Sequence, residues 1–283
     1  MSTLRLTAAA LVLAASPALA QLATPLPSPN ATVAQTIGIT KAEVVYSRPS
    51  VKGRTIWGEL VPYDKVWRTG ANAVTKISFD TDVTVEGQKL PAGSYGLFTI
   101  PGKTEWTVIF NRQSTGSPYD YAADKDVLRV KVKPEALSEA KEMFTISFPL
   151  ATANGATLQL AWEKLKLSLA IGVDTNAAFL AKAKEAVAAA KPDDWRTSAN
   201  AARYLYEAKY ATDDAGKFLA KSLATKETFG NLAIKANVLA GQGDKKGAVE
   251  WGEKALAAGK AAEPKPSAEA VDELEKSIAG WKK

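Results

Sequence analysis

At Asp174 the hydrophobic period of this chain changes, and that change divides it into two architectures. Upstream the period is two. Phe144, Ile146 and Phe148 alternate with Thr145 and Ser147; Leu158, Leu160 and Trp162 alternate with Gln159 and Ala161; Leu165, Leu167, Leu169 and Ile171 follow the same rule. Alternation of this kind turns one face to a core and the other to water, as in half-buried antiparallel strands. Further strands are expected at 37–46, 75–85, 95–100, 106–110 and 127–132. Turn signals fall between them at Glu86-Gly87, Pro91-Ala92-Gly93, Pro101-Gly102 and Asn154-Gly155. About eight short strands at this spacing, after a lead containing Pro25, Pro27 and Pro29, predict an antiparallel β-sandwich of jelly-roll-like kind.

Downstream the composition turns to Ala, Lys and Glu, and the strand pattern stops. Asp174 and Thr175 can cap a helix over 176–191 that Pro192 ends, and Asp193 and Asp194 can cap the next, to Tyr210. Further helices are expected at 214–225, 227–240, 245–260 and 268–281, pairing as hairpins. Residues 231–256 resemble a tetratricopeptide repeat, with Ala236, Ala248 and Ala255 where two helices approach and Gly243-Asp244 at the turn. Residues 199–223 repeat the idea poorly, around Ala215 and Leu219. Because such arrays need about three units to stack, a generic bundle of helical hairpins is the competing reading. The expected fold class is therefore α+β, with a signal peptide at 1–20, a β-sandwich at 21–171 and an α-helical hairpin region at 172–283.

The signal peptide is read from one early charge, Arg5, the apolar run 8–15, and the small-x-small end Ala18-Leu19-Ala20. The apolar run is shorter than the ~20 residues a spanning helix needs. No later segment is apolar enough, so no transmembrane segment is expected after signal removal and a periplasmic or secreted location is. The chain has no cysteine and no histidine among its 283 residues. Disulfides, thiolate nucleophiles, zinc-thiolate sites, imidazole ligation and Ser-His-Asp catalysis are thereby excluded. Residues 21–171 carry 17 basic and 14 acidic side chains and residues 172–283 carry 18 and 16, so the net +6 forms no basic block. Nucleic acid is not an expected partner.

The densest unusual stretch is 46–75. It holds Arg48, Arg54 and Arg68, the aromatics Tyr46, Trp57, Tyr63 and Trp67, and the polar pair Asn72 and Thr75. An arginine beside an aromatic ring can hold a carboxylate or phosphate while the ring stacks on a sugar. Arg48, Arg54, Trp67, Arg68 and Asn72 are accordingly expected to form a binding face for an anionic or carbohydrate ligand. Arg48 and Arg68 would be the donors, Trp67 a stacking wall and Asn72 a neutral orienter. The competing reading makes Trp57 and Trp67 core aromatics and has the arginines satisfy internal carbonyls, or carboxylates such as Glu59 and Asp64.

The segments YSRPSVKGRTIWG, VPYDKVWRTGAN, LPAGSYGLFTIPG, EWTVIFN and DVLRVKV, in this order over about residues 29–171, resemble the bacterial domain-of-unknown-function family 2911. The resemblance implies an exported β domain, frequent in environmental bacteria, with no established activity. It places Arg48, Pro49, Gly53, Arg54, Trp67, Arg68, Gly70, Ala71 and Asn72 in the family's signature.

Three weaker constellations remain. Asp120, Asp124 and Asp126 are closely spaced carboxylates, but they lack the glycine and the bidentate glutamate of a calcium loop and read as a solvated acidic loop. Glu59, Asp64, Asp80 and Asp82 could supply a glycosidase-type acid/base pair. Ser47, Ser94 and Lys65 follow neither the SxxK nor the GxSxG pattern. No catalytic residue, metal or cofactor is assigned. The expectation is a non-catalytic envelope protein with a ligand-binding sandwich and a helical half that docks a partner protein or packs on the sandwich. The alternative is a carboxylate-based hydrolase acting on polysaccharide or cell-wall material.

Overall fold

The computed structural model describes residues 24–116 and 121–283. The expected signal peptide, 1–20, lies outside the described residues. Ten strands form two antiparallel sheets. β1 (Asn30–Ile37), β2 (Thr40–Ser47), β3 (Lys76–Phe79), β6 (Gly93–Ile100), β7 (Trp106–Asn111) and β8 (Asp126–Val132) make a six-stranded sheet in the order β1-β2-β3-β6-β7-β8. β4 (Val83–Val85), β5 (Gln88–Leu90), β9 (Glu135–Ala151) and β10 (Gly155–Gly172) make a four-stranded sheet in the order β5-β4-β10-β9. Their inward faces share one core that includes Val44, Ile77, Leu97, Val108, Phe110, Ile146, Leu158 and Leu169.

Two departures from the periodicity have plain causes. β1 starts directly after the Pro-rich lead, and its sequence NATVAQTI buries alternate positions only halfway before Ile37, so its apolar signal is faint. Residues 75–85 form two strands in different sheets rather than one. The chain crosses over at 80–82, where the Asp80 carboxylate accepts from Lys41 N at 2.7 Å and Asp82 accepts from Ala92 N at 2.8 Å. These two aspartates fasten a corner, as short acceptors do in turns.

The helical half follows its capping signals. α1 (Thr175–Ala189) is capped by Asp174, α2 (Trp195–Glu207) by Asp194, α5 (Lys245–Ala261) by Asp244 and α6 (Ala268–Trp281) by Ser267. α3 (Thr212–Thr225) has no side-chain cap, and α4 (Phe229–Gly241) has a reciprocal capping box between Thr228 and Asn231. Ala215, Ala236, Ala248 and Ala255 are fully buried where helices meet. On α5, a Cβ at Gly252 would lie 2.8 Å from Ile278, so only glycine lets α6 approach this closely.

The helices are fastened to the sandwich through α1. Lys182 Nζ donates to Asp80 at 2.9 Å and to Ile39 O at 3.3 Å, and the Thr175 hydroxyl donates to Ala153 O. The packing of the helical half on the sandwich thus includes polar contacts at the β1–β2 turn, the corner after β3 and the β9–β10 turn. No helix among the described residues is long and apolar enough to cross a membrane.

Candidate functional site

The loop from Ser47 to Thr75 closes one end of the sandwich, and most of its signature residues serve that closure. After β2 the chain turns onto the outer edge of β9. Val51 N donates to Glu142 O at 2.8 Å and Phe144 N donates to Pro49 O at 2.9 Å, around a bridge between Ser50 and Met143. Arg48 completes this edge. Its Nε donates to Phe144 O at 3.0 Å and its Nη2 to the Thr145 hydroxyl at 2.8 Å. Unpaired edge donors and acceptors invite association with another chain, and the loop covers them here. Arg48 therefore joins β9 to the six-stranded sheet, as the competing reading of the sequence had it.

Trp67 lies along β6, exchanging backbone hydrogen bonds with Thr99 at 2.7 and 2.9 Å where β3 has already ended. Its ring stacks on Trp162 (5.8 Å, 18°) and meets Trp57 and Phe144 edge-on at 5.9 and 5.3 Å. Trp57 adds Trp106 at 4.7 Å, making a cluster of four indoles between the sheets. Each such pair contributes about 0.5–1.5 kcal/mol beyond the area it buries. The gap beside them is only about 10 Å³, too small for a sugar ring. Nε1 of Trp57 and of Trp106 are buried without a hydrogen-bond partner among the described residues.

The rest of the WRTGAN segment holds itself. Trp67 Nε1 donates to Gly70 O at 3.1 Å, the Thr75 hydroxyl to Thr69 O at 2.6 Å, and Asn72 Nδ2 to Ser28 O at 3.0 Å. Thr69 and Asn72 both have φ of +55° and Gly70 has +154°; a Cβ at Gly70 would sit 2.9 Å from the Thr75 hydroxyl and 3.1 Å from Ser47 O. Arg68 is half-buried, its Nε buried and without a partner among the described residues.

Arg54 is placed differently. It is exposed, and with Gly53, Thr55, Ile56, Trp57 and Glu163 it lines a cleft of about 360 Å³. Its Nε donates to Val51 O at 3.0 Å and its Nη2 to Ser50 O, so the guanidinium is braced by its own turn. Glu163 comes from β10, more than a hundred residues later in the chain. There the pairing slips: Ala161, Glu163 and Leu165 pair with Thr145, Lys141 and Ala136 in turn, and Glu163 has φ of +52°. A left-handed non-glycine residue costs about 1–3 kcal/mol, and such bulges recur beside binding sites because they re-aim a side chain. The Glu163 carboxylate has no hydrogen-bond or ion-pair partner among the described residues. Of the five expected ligand residues the cleft contains Arg54 alone; Arg48, Trp67, Arg68 and Asn72 are not in its lining.

The profile of the family described as "Protein of unknown function (DUF2911)" matches residues 28–171. The chain belongs to that family. The DUF2911 match takes in both sheets, from just before β1 to the end of β10, and stops short of α1. It therefore covers Arg48, the WRTGAN segment and every residue of the cleft. No curated protein and no solved structure matches the chain.

Several of the other candidate carboxylates lie outside this cleft. Asp80 carries a pKa below its ordinary value: burial alone would raise it, but the bonds from Lys182 and from Lys41 N overcome that. An acid held ionised in this way does not serve as a proton donor at neutral pH. Asp126 accepts from Asn111 at 2.6 Å, from the Tyr121 hydroxyl at 2.8 Å and from Arg129 at 2.7 Å. Burial, with Asp126 beside it, pushes the Tyr121 phenol above its usual value. Asp124 is exposed and Asp120 lies outside the described residues. No group of three carboxylates able to hold a metal occurs among the described residues. A second concavity, about 680 Å³, lies between α2 and α4 and is lined by Arg203, Tyr206, Asn237 and Val238 among others.

Proposed function

We propose that this is an exported, non-catalytic binding protein whose DUF2911 domain holds a small polar ligand in the cleft between Arg54, Trp57 and Glu163. The observation that carries this reading is a cleft of about 360 Å³ lined by Arg54, Trp57 and Glu163, in which the Glu163 carboxylate has no partner among the described residues. That volume is at the lower end of ligand sites and suits a single sugar-sized molecule. Arg54 is the charge-assisted donor, held in place by its turn so that little side-chain freedom is lost on binding. Trp57 supplies an apolar wall, fixed by its contacts with Trp67 and Trp106. Export follows from residues 1–20, and the helical half, through the groove between α2 and α4, is the part proposed to meet a protein partner.

Thermal unfolding with saccharides, amino acids, carboxylates and phosphates tests the cleft, because a ligand at a hundred times its dissociation constant stabilises by about 2.7 kcal/mol. The expected result is a rise in melting temperature with one chemical class for the wild type. Arg54→Gln melts like the wild type but does not respond. An equal response in Arg54→Gln places the ligand elsewhere, and no response to any class removes the reading.

A further inference from the structure

We infer that the cleft selects a zwitterion, a small molecule carrying both an ammonium and a carboxylate, with Glu163 taking the first and Arg54 the second. The inference rests on the cleft being the binding site and adds the charge pattern of what it takes. Two opposite charges line one cavity, yet no ion pair within 4.0 Å joins them. The reason lies in the backbone on either side. Arg54 is tethered through Nε and Nη2 to the carbonyls of Val51 and Ser50, which leaves three of its five N–H donors for another acceptor. Glu163 is held by its left-handed bulge, and its carboxylate oxygens accept nothing among the described residues. Arginine and glutamate normally collapse onto each other when free to do so; here each is fixed by a separate strand or turn, and the cleft they line together has a volume of about 360 Å³.

The chemistry of discrimination follows. A neutral sugar removes water from both charges and pairs neither, which opposes binding. An anion satisfies Arg54 but meets the like charge of Glu163, and a cation does the reverse. A zwitterion of matching length pairs both, and its ammonium can also lie against the Trp57 ring. Amino acids and short peptides share this chemistry with amino-sugar acids.

Isothermal titration of the full chain separates these sources from one another and from monopolar probes. Dialanine and muramic acid are the zwitterions, glucosamine the cation, glucuronate the anion and glucose the neutral probe. The expected result is that dialanine or muramic acid binds at least tenfold more tightly than all three others, and the tighter of the two names the source. Glu163→Gln should erase the preference of the zwitterion over glucuronate, and Arg54→Gln its preference over glucosamine. Glu163→Gly, whose backbone suits the left-handed position, keeps the fold and should also lose the preference. Glucose or glucuronate binding as tightly as the zwitterions overturns the charge pattern and leaves the cleft as the site. Absence of binding by every probe overturns both.

Discussion

Arg48 and Arg54 stand in the same loop and both donate through Nε and Nη2, but they reach to different distances. Arg48 reaches Phe144 and Thr145 on β9, across the closure of the sandwich. Arg54 reaches no farther than Ser50 and Val51 in its own turn. The first arrangement ties two distant parts of the chain together, so its loss must be felt in the stability of the whole sandwich. The second orients a charge that stays exposed, so its loss must be felt in what the cleft binds. Residues clustered in one sequence signature therefore divide between folding and binding, and mutation can show where the division runs.

The strongest test is at the aromatic centre. Trp67→Ala empties a site packed by Trp57, Phe144 and Trp162 and is expected to cost about 3–5 kcal/mol. Arg54→Ala, at an exposed position of the same loop, should stay within about 0.5 kcal/mol of the wild type. Urea unfolding of the two variants measures both. If Trp67→Ala is as stable as Arg54→Ala, the indole cluster is not what holds this end of the sandwich.

Arg48→Ala comes next. It leaves a carbonyl of β9 unsatisfied at a half-buried edge and should cost about 1–3 kcal/mol. Arg48→Lys should recover only part of this, because one ammonium does not reproduce the fork that meets Phe144 O and the Thr145 hydroxyl together. Full rescue by lysine would mean that charge alone matters there. Glu163→Gly is expected to act in the opposite direction, raising stability by about 1 kcal/mol while losing the preference for a zwitterion over an anion, since glycine relieves the positive φ. A destabilised Glu163→Gly would show that the glutamate side chain supports the bulge.

Much of this division was legible in residues and some of it was not. The caps at Asp174, Asp194 and Asp244 and the buried alanines of the helical half are local signals, and the sequence pattern placed all six helices within about three residues of their true ends. Arg48 and Trp67 carried no such information. An arginine beside an aromatic reads the same whether the guanidinium faces a ligand or a carbonyl of β9, because the deciding partner, Phe144 O, is set by tertiary pairing. Glu163 was not among the expected site residues, although a trace of it was present. The apolar positions run Leu158, Leu160, Trp162 and then Leu165, Leu167, Leu169, a slip of one residue in a period of two. A strand cannot change face without a bulge, and the bulge falls at Glu163.

The smallest expected effect concerns the joint between the two halves, where Lys182 of α1 meets Asp80 at the corner after β3. Burial would raise the Asp80 pKa, but Lys182 and Lys41 N together hold it below its ordinary value in the folded protein. A carboxylate whose pKa is lower folded than unfolded contributes stability above its unfolded value, about 3.9, and loses it as pH falls through the folded value. Both side chains are more than a third exposed, 42% for Lys182 and 38% for Asp80, so water screens the pair and it is worth under about 1 kcal/mol. Asp80→Asn should therefore melt slightly below the wild type at pH 7, with the difference shrinking in high salt and as pH falls below the unfolded value. If the difference stays the same as Asp80 is titrated in acid, what fastens α1 here is not the charge on Asp80. The bonds from Lys182 to Ile39 O and from Thr175 to Ala153 O, which do not need the Asp80 charge, would then be the joint, and the helices would stay seated on the sandwich in acid.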